Sequence, residues 1–331
     1  MEKLKFNALS VFSSFVITAV MMCVSSSSLS AEELRFSTPV PPNHIFSRVA
    51  TKFSEDLKAR TNGELDIKVY PFGELGTDPE NTIMVATGAL NFAVIPAAFM
   101  ANSEESLNAW FLPGLFNSVQ DAGNATQLPA AKKILAELDR QGMVGLGYVF
   151  AGMRSLISVD PVNNLSDIKG KKISIFPVPI FNDWWLTFGA IPTAVPMPEI
   201  ASALAINLIE VVDVDLDLVA ALKLYEQAPN LAMTSHMAFP GIVVVSKKWW
   251  ESKSVEQRAM IRDVFAEAEA WGVKAQVITD EGNLNTLKDA GVVITHIDKS
   301  GYADNATDIL DQYVRKSPII AEFYEQVKAQ K

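Results

Sequence analysis

Cysteine is almost absent. Cys23 is the only one in 331 residues, and it falls inside an apolar N-terminal run. The rest of the chain therefore has no disulfide, no thiolate metal site and no thiol nucleophile, a composition that suits an oxidising compartment. Histidine is nearly as scarce. His44, His236 and His296 lie far apart, without the spacing a metal site needs. No glycine-rich phosphate loop and no Gly-x-Ser-x-Gly elbow occurs. Basic residues number 28 against 38 acidic ones, a net charge of -10, with no basic stripe to neutralise phosphates. Nucleic-acid binding is thereby excluded. Asp213, Asp215 and Asp217 have the close spacing of calcium ligands, but valine and leucine separate them and the glycine turn of a calcium loop is missing. Nothing here asks for bond-making, a metal or a cofactor.

The first thirty-one residues read as a secretory leader. Lys3 and Lys5 give a positive start, Ala8 to Val24 an apolar stretch, and Ser25 to Ala31 small residues for cleavage. The run is short for a membrane span, and no later segment is apolar enough to be one. Cleavage near residues 30–31 would leave a chain of about 300 residues, enough for two substantial cores, one charge more negative than the whole.

Along that chain, 34–38 reads as a strand that stops at Pro39, Pro41 and Pro42. Asn43 reads as the cap of a helix carrying Ile45, Val49, Phe53 and Leu57 at helical spacing. Residues 64–70 alternate as a strand, Asp78-Pro79 open a second helix ending at Gly88, and 90–95 form a buried strand. This β-α-β-α-β opening implies a parallel sheet covered by helices. An apolar loop at 107–116, a helix near 131–141 and strands at 143–150 and 156–159 follow. Residues 169–218 then hold a second β-α-β pattern, and 210–218 alternates acidic and apolar residues as a strand would. Residues 241–245 are a β-branched strand. Ser254 and Gln257 make a capping-box pattern that opens a helical stretch reaching about residue 290. That is longer than usual for a globular helix, so it is expected to span two lobes. A last strand at 292–297 and helices within 308–330 close the chain.

Several short pieces, taken in order, carry a resemblance over nearly the whole of this length. They are Tyr70-Pro71 with Glu74-Leu75-Gly76, Thr87 to Phe92, Leu112 to Phe116, Gly152-Met153-Arg154, Asp167 to Ile173, Gly189 to Thr193, and Thr234-Ser235-His236. With them the chain resembles the extracytoplasmic solute-binding subunit of a TRAP (tripartite ATP-independent periplasmic) transporter, the DctP-type family. The resemblance implies an α/β, two-lobed periplasmic-binding-protein-like clamp with a long helix spanning both lobes. Such a clamp works in the periplasm, closes on one small solute and hands it to the membrane permease subunits, without a cofactor and without entering the membrane itself. Lobe I is expected over 32–151 plus 240–279, and lobe II over 152–239 plus 280–331. A sensory binding protein outside transport and a hydrolase are the readings from other classes.

The departures from the family pattern bear on the ligand. The strand after Asp-x-x-Gly-x-Lys usually carries an arginine for a ligand carboxylate, where a two-pronged donor fits best; here Ser174 holds that place. The family's Asp-Gly-x-Glu-Asn pattern falls on 210–214, so its asparagine is replaced by Val214. Arg154 stands where several members place a second ligand arginine, or else pairs with a carboxylate such as Asp213. If 210–218 is one strand, Asp213, Asp215 and Asp217 share a face, and buried among valines and leucines they need a cation or donors. Phe176, Phe181, Trp184, Trp185 and Phe239 are the aromatic candidates. Arg154, Ser174, Phe176, Trp184, Asp213, Asp215 and Phe239 are thus the expected ligand residues. An acidic row beside aromatic rings suits a small amine, such as an amino alcohol like ethanolamine, or a polyol. The alternative is a small organic acid held by Arg154.

Overall fold

The structure, a computed structural model, describes residues 33–330, so the expected leader lies outside it. The strands and helices run β1 (Leu34–Ser37), α1 (Ile45–Arg60), β2 (Ile67–Tyr70), α2 (Asp78–Thr87), β3 (Phe92–Pro96) and α3 (Ala97–Met100). Next come α4 (Val119–Ala125), α5 (Pro129–Glu137), β4 (Met143–Met153), β5 (Ser155–Ser158), β6 (Lys172–Ser174), α6 (Pro179–Leu186) and β7 (Ile191–Thr193). They continue through α7 (Ile200–Ala205), β8 (Val211–Val214), α8 (Leu216–Ala221), β9 (Asn230–Met233), β10 (Ala238–Ser246) and α9 (Lys247–Glu251). The long α10 (Val255–Asp289), β11 (Val293–His296), α11 (Ala303–Val314) and α12 (Pro318–Lys328) complete the chain.

Local chemistry explains most of these boundaries. α1 buries Ile45, Phe46, Val49, Ala50, Phe53 and Leu57, a single apolar stripe. Its cap is His44 rather than the expected Asn43: the His44 Nδ1 accepts the Phe46 N–H at 3.2 Å. α2 is capped by Thr77, one residue before the expected Asp78, because Thr77 and Glu80 complete a reciprocal capping box. Gly88 ends it at φ +84°, a conformation glycine adopts without a Cβ penalty. The apolar segment expected as a loop at 107–116 begins instead as a buried 3₁₀ turn, Glu105–Phe111. There Trp110 packs against Tyr148 and Phe323, with ring centroids 4.5 and 4.6 Å away. The capping box of Ser254 and Gln257 opens α10 as expected.

The strands form two sheets, ordered β2-β1-β3-β10-β4 and β11-β9-β5-β8-β6-β7. In the first, β1 runs parallel to β2 and β3, while β10 lies antiparallel between β3 and β4. In the second, β6 is parallel to both β7 and β8, and β5 is antiparallel to β8 and β9. The chain passes between the sheets at three places. β4 runs into β5 with only Arg154 between them, and β9 runs into β10 through residues 234–237. These two crossings are tied together: Arg154 N–H donates to the Met237 carbonyl at 2.8 Å, and Thr234 Oγ1 to the Arg154 carbonyl at 3.3 Å.

The third crossing is α10. Its Ile261, Val264, Phe265, Ala268 and Val273 belong to the larger core, and Leu287 to a second core built on β8, α7 and α8. A 35-residue helix is about 52 Å long, enough to serve both. The fold is the expected two-lobed α/β clamp. The helix α12 falls within the segment expected for lobe II. It packs on α5 and the 105–111 turn, beside the first sheet, with Gln326 Oε1 accepting the Ala130 N–H at 3.0 Å and Lys133 bound to Glu322.

α1 and α10 approach closely because α10 has glycine at 272. A Cβ there would meet Val49 Cγ2 at 2.7 Å. Gly272→Ala gains helix propensity worth about 1 kcal/mol but overpacks a buried contact, which costs about 1–3 kcal/mol. The net result is expected to be a lower melting temperature; an unchanged or higher one would show that the interface has slack.

Candidate functional site

The candidate site is the place where the two strand crossings meet α8, α1 and α10. Arg154 is 1 % exposed. Its Nε donates to Asp213 Oδ1 at 2.7 Å, its Nη2 to the Asp213 carbonyl, and its Nη1 to Asp215 Oδ2 at 3.4 Å. Its flat faces meet rings: the guanidinium carbon sits 4.5 Å from the centroid of Phe239 and 5.8 Å from that of Phe176. Phe176 and Phe239 in turn pack at 4.9 Å. Five of the expected residues, Arg154, Phe176, Asp213, Asp215 and Phe239, are thus in one cluster.

The aspartate row is arranged differently from the expectation. The strand ends at Val214, and Asp215 is the cap of α8, its Oδ1 accepting the Leu218 N–H at 2.9 Å. Asp217 lies in the first helical turn, so the three carboxylates do not share a strand face. Asp213 also accepts the Trp185 Nε1–H at 2.8 Å and lies 3.3 Å from His236 Nε2. Asp217 accepts the Ile45 N–H at 3.2 Å, the Gln276 amide at 3.3 Å and the Asn283 amide at 2.7 Å. All three are buried, and all three are engaged by protein donors.

Burial alone would raise the Asp213 carboxyl, but Arg154, His236 and Trp185 hold it down to about 2. Asp215 is likewise lowered against burial, by His44, Arg154 and the Leu218 N–H. Asp217 is raised, by burial and by its neighbour Asp215. His44 contributes through its tautomer. With Nδ1 accepting from Phe46, the ring proton sits on Nε2, 3.7 Å from Asp215 Oδ1.

The remaining expected residues sit at the margin. Ser174 is buried at the end of β6, beside Val212 and Thr193. Trp184 is fully buried, stacked 6.1 Å from His236 and edge-on to Tyr302. It reaches the cluster through those partners, without a contact to Arg154 of its own. Among the described residues no group of three or more His, Cys, Asp or Glu is disposed to hold a metal. No helix among them is long and apolar enough to cross a membrane.

Trp185, an aromatic candidate, joins the cluster through Asp213, whereas His44, Thr234, His236, Gln276 and Asp280 were not expected at the site. Spacing gave no signal for the histidines, since 192 positions separate His44 from His236. A small cavity of about 120 Å³ adjoins His44 and Asp217 and is lined also by Asn43, Thr279 and Asn283. A larger groove, about 660 Å³, runs along β4 between α5 and α10, lined by Lys132, Trp250, Arg258, Arg262 and Glu269. It is open, of mixed charge and remote from the crossings, so size alone does not make it the ligand site.

Two lobes joined by paired strand crossings and by α10, with a buried arginine and aromatic rings at the strand crossings, make a clamp of the periplasmic binding-protein class. The chain belongs to the DctP family, bacterial extracellular solute-binding protein family 7, whose model matches residues 36–317, and it is a TRAP-type solute-binding protein. It is 27 % identical over 315 residues to the 2,3-diketo-L-gulonate-binding periplasmic protein YiaO of Escherichia coli K12, covering 93 % of this chain and 95 % of that one. It is 26 % identical over 240 residues to the C4-dicarboxylate-binding periplasmic protein DctP of Shewanella loihica, covering 72 % and 71 %. A crystal structure of a TRAP periplasmic solute-binding protein from Xanthobacter autotrophicus Py2, with bound β-D-galacturonate, superimposes with a TM-score of 0.84. The two are 25 % identical, covering 90 % of this chain and 99 % of that one. Members of this family capture small solutes and work with membrane permease components.

Proposed function

We propose that this protein works in the periplasm, after loss of its leader, and captures a small polar organic acid for a TRAP permease. The observation that carries the acid is Arg154. A guanidinium has five N–H groups, and Asp213 and Asp215 engage three of them. Those bonds fix the fork while leaving one N–H on each terminal nitrogen for a ligand carboxylate. Phe176 and Phe239 keep water from its faces, which strengthens a charge-assisted bond.

The solutes named for the three relatives, a diketogulonate, C4-dicarboxylates and a galacturonate, are all carboxylates. An amine would need a free carboxylate, and Asp213, Asp215 and Asp217 are spent on protein donors. The two aspartates beside Arg154 also weaken its pull on densely charged anions. A singly charged, hydroxylated acid fits best, with Ser174 within the same lobe to meet a hydroxyl. One observation favours the amine or amino-alcohol reading: Ser174 replaces the family arginine, so the group of Arg154, Asp213 and Asp215 is net negative.

A thermal-shift screen separates the two, since a solute that binds only the folded state raises the melting temperature by mass action. Sugar acids and short dicarboxylates form one set, amines and amino alcohols the other. Stabilisation by acids alone is expected; stabilisation by ethanolamine or another amine alone would overturn the proposal.

A further inference from the structure

Asp217 and Asp280 share one amide. The Gln276 Nε2 donates to Asp217 Oδ1 at 3.3 Å and to Asp280 Oδ1 at 2.8 Å. Gln276 is fully buried, Asp217 buried and Asp280 half-buried. No lysine or arginine among the described residues forms an ion pair with either carboxylate; Arg154 is committed to Asp213 and Asp215, and Arg48 donates to Thr279.

Every element packed here contributes. From α8 come Asp215 and Asp217, and from the N-terminus of α1 come His44 and the Ile45 N–H. From α10 come Gln276, Asn283 and Asp280, with Thr279 bound by Arg48. The β4–β5 crossing presents Gly152, whose φ is +93° and whose missing Cβ would lie 3.0 Å from Asp280 Oδ2. Asp217 therefore joins α1, on the first sheet's side, to α8, on the second sheet's side, and Asp280 packs on the strand crossing between them.

We propose that the Asp217–Gln276–Asp280 cluster is a proton-linked latch. Bringing the two lobes together takes up one proton there, so the closed form gains on the open form as pH falls through neutrality.

The reason is like-charge crowding. Two carboxylates drawn onto one amide without a cation are poorly tolerated as a pair of anions, and one proton relieves them. When the lobes part, α8 leaves α1 but keeps its packing on the C-terminal part of α10, the cleft beside Asp280 fills with water, and the proton leaves. Consistent with this, burial and the charges of Asp217 and Asp215 push the Asp280 carboxyl up to about 7 from its ordinary 3.8. With the open form at the ordinary value, the closing constant rises at most roughly thirty-fold between about pH 8.5 and about pH 5.5.

The inference rests on the clamp reading, and one experiment tests the two separately. Without its leader the chain has no cysteine, so Glu55→Cys on α1 and Gln227→Cys beyond α8 accept a fluorophore pair. Single-molecule energy transfer then reads open and closed populations without any ligand. The parent is expected to shift toward the shorter distance as pH falls, while Asp280→Asn, neutral at every pH, is expected to change less than about threefold. Glu269→Gln, which removes the other buried carboxyl held near 7 but lies between β4 and α10 on the first sheet's side, is expected to keep the parent's slope. Two populations whose ratio ignores pH, or an Asp280→Asn variant with the parent's slope, would overturn the latch. A single fixed distance at every pH, unmoved by added D-galacturonate or succinate, would overturn the clamp and the latch with it.

Discussion

Arg154→Ala is expected to cost about 3–5 kcal/mol of stability, because it strands Asp213 and Asp215 as buried carboxylates without their cation. For a chain of this size that is a fall in melting temperature of roughly 5–8 °C. Packing adds to the loss, since the side chain also packs against the rings of Phe239 and Phe176. A protein so weakened would lose binding for reasons unrelated to the ligand, so the informative partner is Arg154→Lys. Lysine keeps the positive charge for the aspartates but cannot donate through a planar fork. It is expected to recover most of the stability while remaining at least tenfold weaker for the acid. If Arg154→Lys bound as well as the parent, the arginine would be a structural brace only, and the carboxylate would have to sit elsewhere.

Asp213→Asn comes next in expected effect. Asp213 serves Arg154, Trp185 and His236 at once, and an amide can replace neither its charge nor all of its accepting oxygens. Loss of about 3–5 kcal/mol follows from breaking a buried pair on one side. The pH dependence has a definite sign. A carboxyl held at about 2 in the fold and near 3.8 when unfolded contributes stability that is present above about pH 4. That stability is lost as pH falls from about 4 toward 2. Urea unfolding of the parent across this window is expected to show a steep acid loss, reduced but not abolished in Asp213→Asn, because Asp215 titrates in the same direction. Equal acid slopes in both proteins would mean that Asp213 is not the depressed group.

Much of this was legible in the residues. The capping box of Ser254 and Gln257, followed by an unbroken helical composition, announces α10 and with it the bridge between two cores. The pairing of Arg154 with Asp213 follows from a simple need: a carboxylate among valines requires a cation. The aspartate row misled for a physical reason. Residues 210–218 alternate as a strand, but an aspartate whose side chain can reach an N–H three residues on is also a helix cap, and at Asp215 the cap won. The histidines were out of reach altogether. His44 is brought to Asp215 and His236 to Asp213 only by the tertiary fold, and no local periodicity encodes either contact. The shared amide at Gln276 was equally hidden, since a glutamine inside a long helix usually marks a solvated face.

The most direct measurement is a calorimetric titration of the leader-free protein with D-galacturonate and with D-galactose, which differ in little besides the carboxylate. With Arg154 as the anchor, the acid is expected to bind and the sugar to bind at least a hundredfold more weakly, since the guanidinium's remaining donors would be left unmet. Equal affinity for the two, or binding of ethanolamine in place of either, would contradict an acid-binding site built on Arg154.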